Sequence, residues 1–340
     1  QYRVHLENYQ DFEIKTDYIN ASYIYDSFAE DDQRKTTHSI GKYIATQGPL
    51  FNTILHFWLM VWENSSPVIV MLTNLNENGR SKCNRYWPKS IGQKGKLIFT
   101  GPSASLTIVC QKEEFISSGK IVHRSFELIF QTEIIDDQIN TEERTIQHFQ
   151  YLTWPDGKCP ESHNIRQTHR KVDGLHFLGA TADSEGKDLV GTIAQATARP
   201  QTKVVDTIYH LIEMIHQARS NSPLNGPSVV HCSAGIGRTG TFIAIDQSIY
   251  FDDQWERNVK YQKKTIFELV KNMRECRSGM VQTIEQYKFI YQALMYLSEK
   301  QTLTTRSLSL SAPPTICRHL PSNESIIRPT KLSPNLSSFG

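Results

Sequence analysis

Residues 226–245 read GPSVVHCSAGIGRTGTFIAI. Gly226-Pro227 followed by the short apolar run Ser228-Val229-Val230 predicts a buried strand, and the stretch from Thr239 to Ile245 predicts a helix starting where the loop ends. The loop between them therefore sits on a helix N-terminus, where free N–H groups and the positive end of the macrodipole favour an anion. Gly235 and Gly237 let the backbone curl, so that the N–H groups of Ser233, Ala234, Gly235, Ile236 and Gly237 can converge. The same field favours the thiolate form of a cysteine at position 232, and the thiolate is the nucleophile. Arg238 adds a planar guanidinium able to hold two phosphoryl oxygens at once. A lone cysteine reads as a small hydrophobe and a lone Gly-x-Gly as a weak signal; strand, Cys, five residues, Arg, hydroxyl residue and helix together read as a phosphate cradle with a nucleophile inside it.

The rest of the chain bounds that reading. Its 340 residues are 39% hydrophobic and 21% charged, ordinary for a globular protein with a sizeable core, and the formal net charge is only +2. No global field argues for nucleic acid or a membrane as partner, so any positive potential is expected to be local. Six cysteines, at 83, 110, 159, 232, 276 and 317, show no paired spacing. That predicts a reducing, cytoplasmic setting, or the cytoplasmic portion of a larger protein. No run of 18 apolar residues occurs.

Residues 54–63 carry large apolar side chains at helical spacing, with Trp58 and Trp62 expected in the core, and Pro67 to Leu72 reads as a buried strand. Segments 96–100, 105–111, 120–130 and 144–152 read as strands. Helical stripes follow at Ile208/Leu211/Ile212/Ile215, Ile266/Leu269/Val270/Met273 and Tyr287/Ile290/Tyr291/Leu294. Strands first and helices later predict one α/β or α+β domain over residues 1–302. From Leu303 the composition turns to Ser, Thr, Pro and Leu, predicting a disordered tail over 303–340. Residues 163–202 lack periodicity and read as a long surface loop. Cys159, His163, His169 and His176 lack metal-ligand spacing, so no metal site is expected.

HCSAGIGRTGTF resembles the signature loop of the protein tyrosine phosphatases, in their tyrosine-specific class. Four further blocks are similar to that family and stand in its order: Asp17 to Ile24, Tyr43 to Leu50, Lys82 to Pro88 and Gly279 to Tyr287. Their wording is most like the Src-homology-2-containing phosphatases. The resemblance implies a twisted mixed central sheet flanked by helices. It also implies hydrolysis of phosphotyrosine in proteins through a cysteinyl-phosphate intermediate, without metal or organic cofactor.

Cleaving a phosphate ester with a cysteine nucleophile also needs an acid for the leaving oxygen. The triplet Trp154-Pro155-Asp156 resembles the family's mobile acid loop, which makes Asp156 the general acid and then the base for the attacking water. By the same resemblance Gln282 positions that water, with Gln286 assisting one turn later. Thr239 is expected to donate its hydroxyl to the departing sulfur or to cap the helix, His231 to orient the loop, and Tyr2 to line the pocket. Two departures stand out. Between Pro88 and Glu113 there is no acidic residue to buttress Arg238, which is therefore expected to be held less firmly. Asp156 and Cys232 are also separated by an unusually long segment. Both leave open an alternative, a phosphotyrosine-binding pseudophosphatase domain.

Overall fold

A computed structural model describes residues 2–25, 42–134, 138–160, 202–255 and 265–311. The strands are β1 Arg3–His5, β2 Tyr18–Ile24, β3 Tyr43–Thr46, β4 Val68–Met71, β5 Asn76–Glu77, β6 Arg80–Ser81, β7 Leu97–Thr100, β8 Ala104–Ile116, β9 Ile121–Ile134, β10 Gln138–Tyr151 and β11 Ser228–His231. The helices are α1 Ile54–Glu63, α2 Thr202–Ser220, α3 Gly237–Trp255, α4 Ile266–Cys276 and α5 Ile284–Ser311. Nine strands form one mixed sheet in the order β1-β2-β3-β11-β4-β10-β9-β8-β7, and β5 and β6 make a separate hairpin.

Four neighbours in that order, β3, β11, β4 and β10, run parallel, with His231 opposite both Thr46 and Met71, and Gln150 opposite Met71. Their C-terminal ends are level, so the loops that leave them meet along one edge. In open sheets of this kind, ligands bind outside the carboxyl ends of parallel strands.

The central strands are apolar on both faces because both faces are covered. Val68, Val70, Leu72 and Val230 join one buried cluster with α2, α3, α4 and α5. Ile69, Met71 and Val229 join a second with α1, including Trp58 and Trp62. Phe126, Leu128 and Phe130 are buried as their alternation predicts. β9 and β10 run longer than the periodicity suggests because they pair residue for residue along their whole length, from Tyr151–Ile121 to Gln138–Ile134.

The chain divides into two units, residues 1–299 and 300–340. The expected domain end at 302 stands close to that division, and helix α5 runs on through Ser311. The Thr, Leu and Ser residues there contain no helix breaker before Pro313, so their composition does not end the helix at the domain boundary. The expected surface loop at 163–202 lies outside the described residues except for Thr202, which opens α2.

Candidate active site

The loop after β11 is held open from outside. His231 Nδ1–H donates to the Cys232 carbonyl at 3.0 Å and Gly48 N–H to the Ser233 carbonyl at 2.9 Å. Arg277 donates to the Ala234 and Gly235 carbonyls at 3.1 and 2.9 Å. The Ile236 carbonyl accepts from the N–H groups of Gly240 and Val281 at 3.0 and 3.1 Å. Every carbonyl from 232 to 236 is thus turned outward, and none of the described residues accepts from the N–H groups of 233–238. That is the geometry of an anion nest on a helix N-terminus. Gly235 makes it possible: its φ is +70°, and a Cβ there would stand 2.0 Å from the Thr46 carbonyl oxygen.

Arg238 is 1% exposed. Its Nη1 donates to Glu77 Oε1 at 2.6 Å and to the Trp154 carbonyl at 2.8 Å, and its Nη2 to Asp156 Oδ1 at 3.1 Å. One guanidinium therefore docks both the β5–β6 hairpin and the segment carrying Asp156. Its Nε has no partner, and Thr239 Oγ1, Gln286 Nε2 and Glu77 Oε2 are in the same condition, so four of the six orphaned buried polar atoms among the described residues belong to this one site. A buried donor left unmade costs about 1–3 kcal/mol. Three such donors around a ring of free N–H groups suit an oxyanion with many lone pairs.

The expectation that Arg238 is loosely held is corrected. The buttress lies before Pro88, at Glu77. Asn78 and Gly79, both at positive φ (50° and 74°), make a two-residue hairpin turn that sets Glu77 opposite Arg80 and delivers its carboxylate to Arg238. The Asn-Gly dipeptide is a strong hairpin signal, and following it would have located Glu77.

Asp156 also pairs with Lys82. Burial alone would raise its pKa, but the Lys82 ammonium, the Arg238 guanidinium and the Gly157 N–H outweigh that and hold the carboxyl below its ordinary range. Trp154, 2% exposed, anchors this segment through its indole N–H to the Lys158 carbonyl at 3.0 Å. Gln282 and Gln286 both reach the loop: a Cβ on Gly237 would lie 3.0 Å from Gln282 Oε1 and 3.0 Å from Gln286 Nε2. Gln286 also has a structural task, since its Oε1 accepts from the N–H groups of Gln282 and Thr283 at 2.9 and 3.2 Å, while Thr283 Oγ1 accepts from Gln286 N–H. That is a capping box at the start of α5. Val281, just before Gln282, is a β-branched residue at φ 58°, a strained conformation pinned by Arg274 on its carbonyl at 2.8 Å.

Behind Cys232, burial and the Arg238 charge push His231 down to about 4, outweighing the bond to the Cys232 carbonyl, so its ring is neutral near pH 7. Because Nδ1–H faces that carbonyl, Nε2 accepts from Tyr86 OH at 2.8 Å. Tyr86 in turn accepts from His148 Nε2–H at 2.7 Å. Cys83, by contrast with a nucleophile, is a buried thiol pushed up to about 12.

The comparisons with known proteins agree with this geometry. The protein-tyrosine phosphatase family model matches residues 1–176 and 178–296. The chain belongs to the protein-tyrosine phosphatase family. Tyrosine-protein phosphatase 2 of Dictyostelium discoideum is 33% identical over 280 residues, 82% of this chain and 54% of that protein. Human tyrosine-protein phosphatase non-receptor type 2 is 32% identical over 294 residues, 86% of this chain and 52% of its own length. The chain spans about half the length of these relatives. Among solved structures, the catalytic domain of human protein tyrosine phosphatase non-receptor type 18 superposes with a TM-score of 0.59 at 28% identity, covering 87% of this chain and 80% of that one. The same enzyme has been solved with HER2 phosphopeptides.

Within this phosphatase fold, Cys232, Arg238, Asp156, Gln282 and Gln286 come together. Thr239 is buried in the first turn of α3, not at its cap, and its hydroxyl has no partner among the described residues. Tyr2 is fixed by β2: its carbonyl accepts from Tyr23 N–H at 2.8 Å and its ring stands edge-on to Tyr25 at 5.8 Å. These contacts do not join it to the cradle. Arg277, Lys82 and Tyr86 are further site residues that reading the motifs alone missed. Each acts through partners distant in sequence, as when Arg277 donates to Asn20 Oδ1 at 2.8 Å. No described helix is long and apolar enough to cross a membrane.

Proposed function

We propose that this chain hydrolyses phosphotyrosine in proteins through a cysteinyl-phosphate intermediate. The observation that carries the reading is the cradle: five outward-bonded carbonyls, unclaimed N–H groups from 233 to 238, and the orphaned Arg238 Nε, all beside Cys232. In the first step the Cys232 sulfur attacks phosphorus in line, the P–O bond to the tyrosyl oxygen breaks, and Asp156 gives that oxygen a proton. The loop N–H groups and Arg238 hold the equatorial oxygens as charge spreads over them. In the second step water attacks the S–P bond; Asp156 takes its proton, Gln282 orients it, and inorganic phosphate leaves while the thiolate is restored.

Asp156 must be protonated to act, yet its neighbours favour the carboxylate. A phosphoryl dianion bound to Arg238 reverses that balance, because it neutralises the guanidinium and adds negative charge beside the carboxyl. The acid is therefore armed by its own substrate. The pseudophosphatase alternative had two grounds, a loose Arg238 and the long segment between Asp156 and Cys232, and the Glu77 contact speaks against the first. Relatives solved with phosphotyrosyl peptides support peptides as the substrate class.

The test is phosphate release from a phosphotyrosyl peptide beside its phosphoseryl counterpart, with Cys232→Ser as control. Release from the first alone, abolished in the variant while peptide binding survives, is expected. Turnover near the parent level in Cys232→Ser would overturn the mechanism, because a serine hydroxyl stays protonated at neutral pH.

A further inference from the structure

Arg124 is a charge in an apolar row. On β9 it shares a face with Phe126, Leu128 and Phe130, all buried, and it is itself only 5% exposed. Strand register sets Glu113 of β8 on one side of it and His148 of β10 on the other. A one-residue bulge between Cys110 and Lys112 decides the first of these, because the register before the bulge would set Lys112 against Arg124. Arg124 Nε donates to Glu113 Oε2 at 2.5 Å, and its guanidinium carbon lies 4.5 Å from the Trp87 ring centroid. A buried ion pair is poor evidence for stability, since apolar residues of similar volume often serve as well or better. The other contacts of Arg124 point to the site.

Its Nη1 donates to Gln150 Oε1 at 3.0 Å and to His148 Nδ1 at 3.4 Å. From there one chain of hydrogen bonds runs to the cradle: His148 Nε2–H to Tyr86 OH at 2.7 Å, Tyr86 O–H to His231 Nε2 at 2.8 Å, and His231 Nδ1–H to the Cys232 carbonyl at 3.0 Å. The chain starts in a group that only donates and ends in one that only accepts, so every bond between them has a single direction. Both imidazoles must then be neutral, with the proton of His148 on Nε2 and that of His231 on Nδ1. Burial, helped by the Arg124 charge, holds His148 well below the ordinary imidazole range, which keeps it neutral. No buried side-chain atom of Arg124, His148, Tyr86 or His231 lacks a partner.

We propose that Arg124 is a positioning residue for the cradle, fixing from β9 the direction of the hydrogen-bond chain that ends on the Cys232 carbonyl. The proposal rests on the phosphotyrosine reading above and adds what orients the loop from behind. Without the Arg124 donor, nothing fixes the proton of His148 on Nε2. With that proton on Nδ1, Tyr86 O–H turns to His148 Nε2 and releases His231, and the Cys232 carbonyl loses its aligned donor. Alignment of one hydrogen bond to a reacting loop is worth about 5- to 10-fold in rate.

The experiment compares the parent with Arg124→Met, Tyr86→Phe and the double variant. Long-range 1H–15N correlation spectra read which imidazole nitrogen carries the proton, and the parent is expected to show Nε2–H at His148 and Nδ1–H at His231. Arg124→Met is expected to move the His148 proton and to lower kcat/KM on a phosphotyrosyl peptide about 5- to 10-fold. Because Arg124 acts through Tyr86, the double variant is expected to lose much less than the product of the two single losses. Arg124→Lys keeps the charge beside Glu113 but not the planar fork, and is expected to show the same proton shift and rate loss with stability closer to the parent in urea unfolding. The opposite tautomers in the parent, parental tautomers in Arg124→Met, or losses that multiply in full would each overturn the proposal. The parent spectrum needs no variant, so a substitution that prevents folding does not protect the idea. The same cycle is read in the Kd for inorganic phosphate. Absence of turnover in the parent would therefore defeat the hydrolytic reading alone, and phosphate binding and tautomers would still decide the role of Arg124.

Discussion

Glu77 is where sequence and structure differ most in consequence, and its removal can be worked through. Its Oε1 accepts from Arg238 Nη1 at 2.6 Å, Thr73 Oγ1 at 2.8 Å and Asn74 N–H at 3.1 Å, while Oε2 is buried without a partner. Glu77→Ala deletes all three bonds and strands a guanidinium that is 1% exposed and cannot turn to water. Breaking a buried ion pair from one side costs about 3–5 kcal/mol. Arg238 keeps the Trp154 carbonyl and Asp156, which places the loss near the lower end, about 3 kcal/mol. Glu77→Gln keeps an oxygen in the Oε1 position and changes only the atom without a partner. Its cost is the difference between a charge-assisted and a neutral hydrogen bond, about 1 kcal/mol. If the same contact aims Arg238 at the phosphoryl group, kcat/KM on a phosphotyrosyl peptide falls about 100-fold in Glu77→Ala and about 5-fold in Glu77→Gln. Urea unfolding and steady-state kinetics, with the Kd for inorganic phosphate, read the two effects separately. A Glu77→Ala protein with parental stability, phosphate affinity and kcat/KM would refute the claim that this carboxylate positions Arg238.

Asp156→Ala is expected to lower kcat by about 10²- to 10⁴-fold, with the loss large for aryl phosphates having poor leaving groups and small for good ones; an equal loss on both would deny it the role of acid. Lys82→Met removes a cation that favours the Asp156 carboxylate, so the folded-state pKa rises and the acid stays protonated to higher pH. The alkaline limb of the kcat–pH profile should move up, and a limb that stays put or moves down would show that Lys82 does not tune the acid. Gly235→Ala would press a Cβ to 2.0 Å from the Thr46 carbonyl oxygen at a φ of +70°. It should abolish phosphate binding measured by calorimetry, and retained affinity would show that the cradle is not closed by this glycine.

Much of the site was legible because it is local. Cys232 and Arg238 lie six positions apart on one loop, and the strand before them and helix after them have plain apolar signatures, so the candidate cradle could be read from a single stretch. The sheet was legible for a similar reason: β4 and β11 are short apolar runs, and Phe126, Leu128 and Phe130 alternate. The end of α5 was less legible, because a Ser/Thr/Leu composition is compatible with helix until a proline intervenes.

What the amino-acid sequence determined by itself was therefore the cradle loop, the positions of Cys232 and Arg238 on it and the class of fold, all set by residue types at short spacing. What the tertiary structure alone decided was who holds them. Four parallel strands end level, and the loops after β3, β4, β10 and β11 are thereby brought to one edge from positions more than a hundred residues apart. Glu77, Trp154 and Asp156 meet on Arg238 because strand register places them there, and Arg277 can pull on two cradle carbonyls only once α4 has packed. Periodicity and motif spacing report the backbone within one element, whereas contacts between loop ends follow from strand order, which no local window contains.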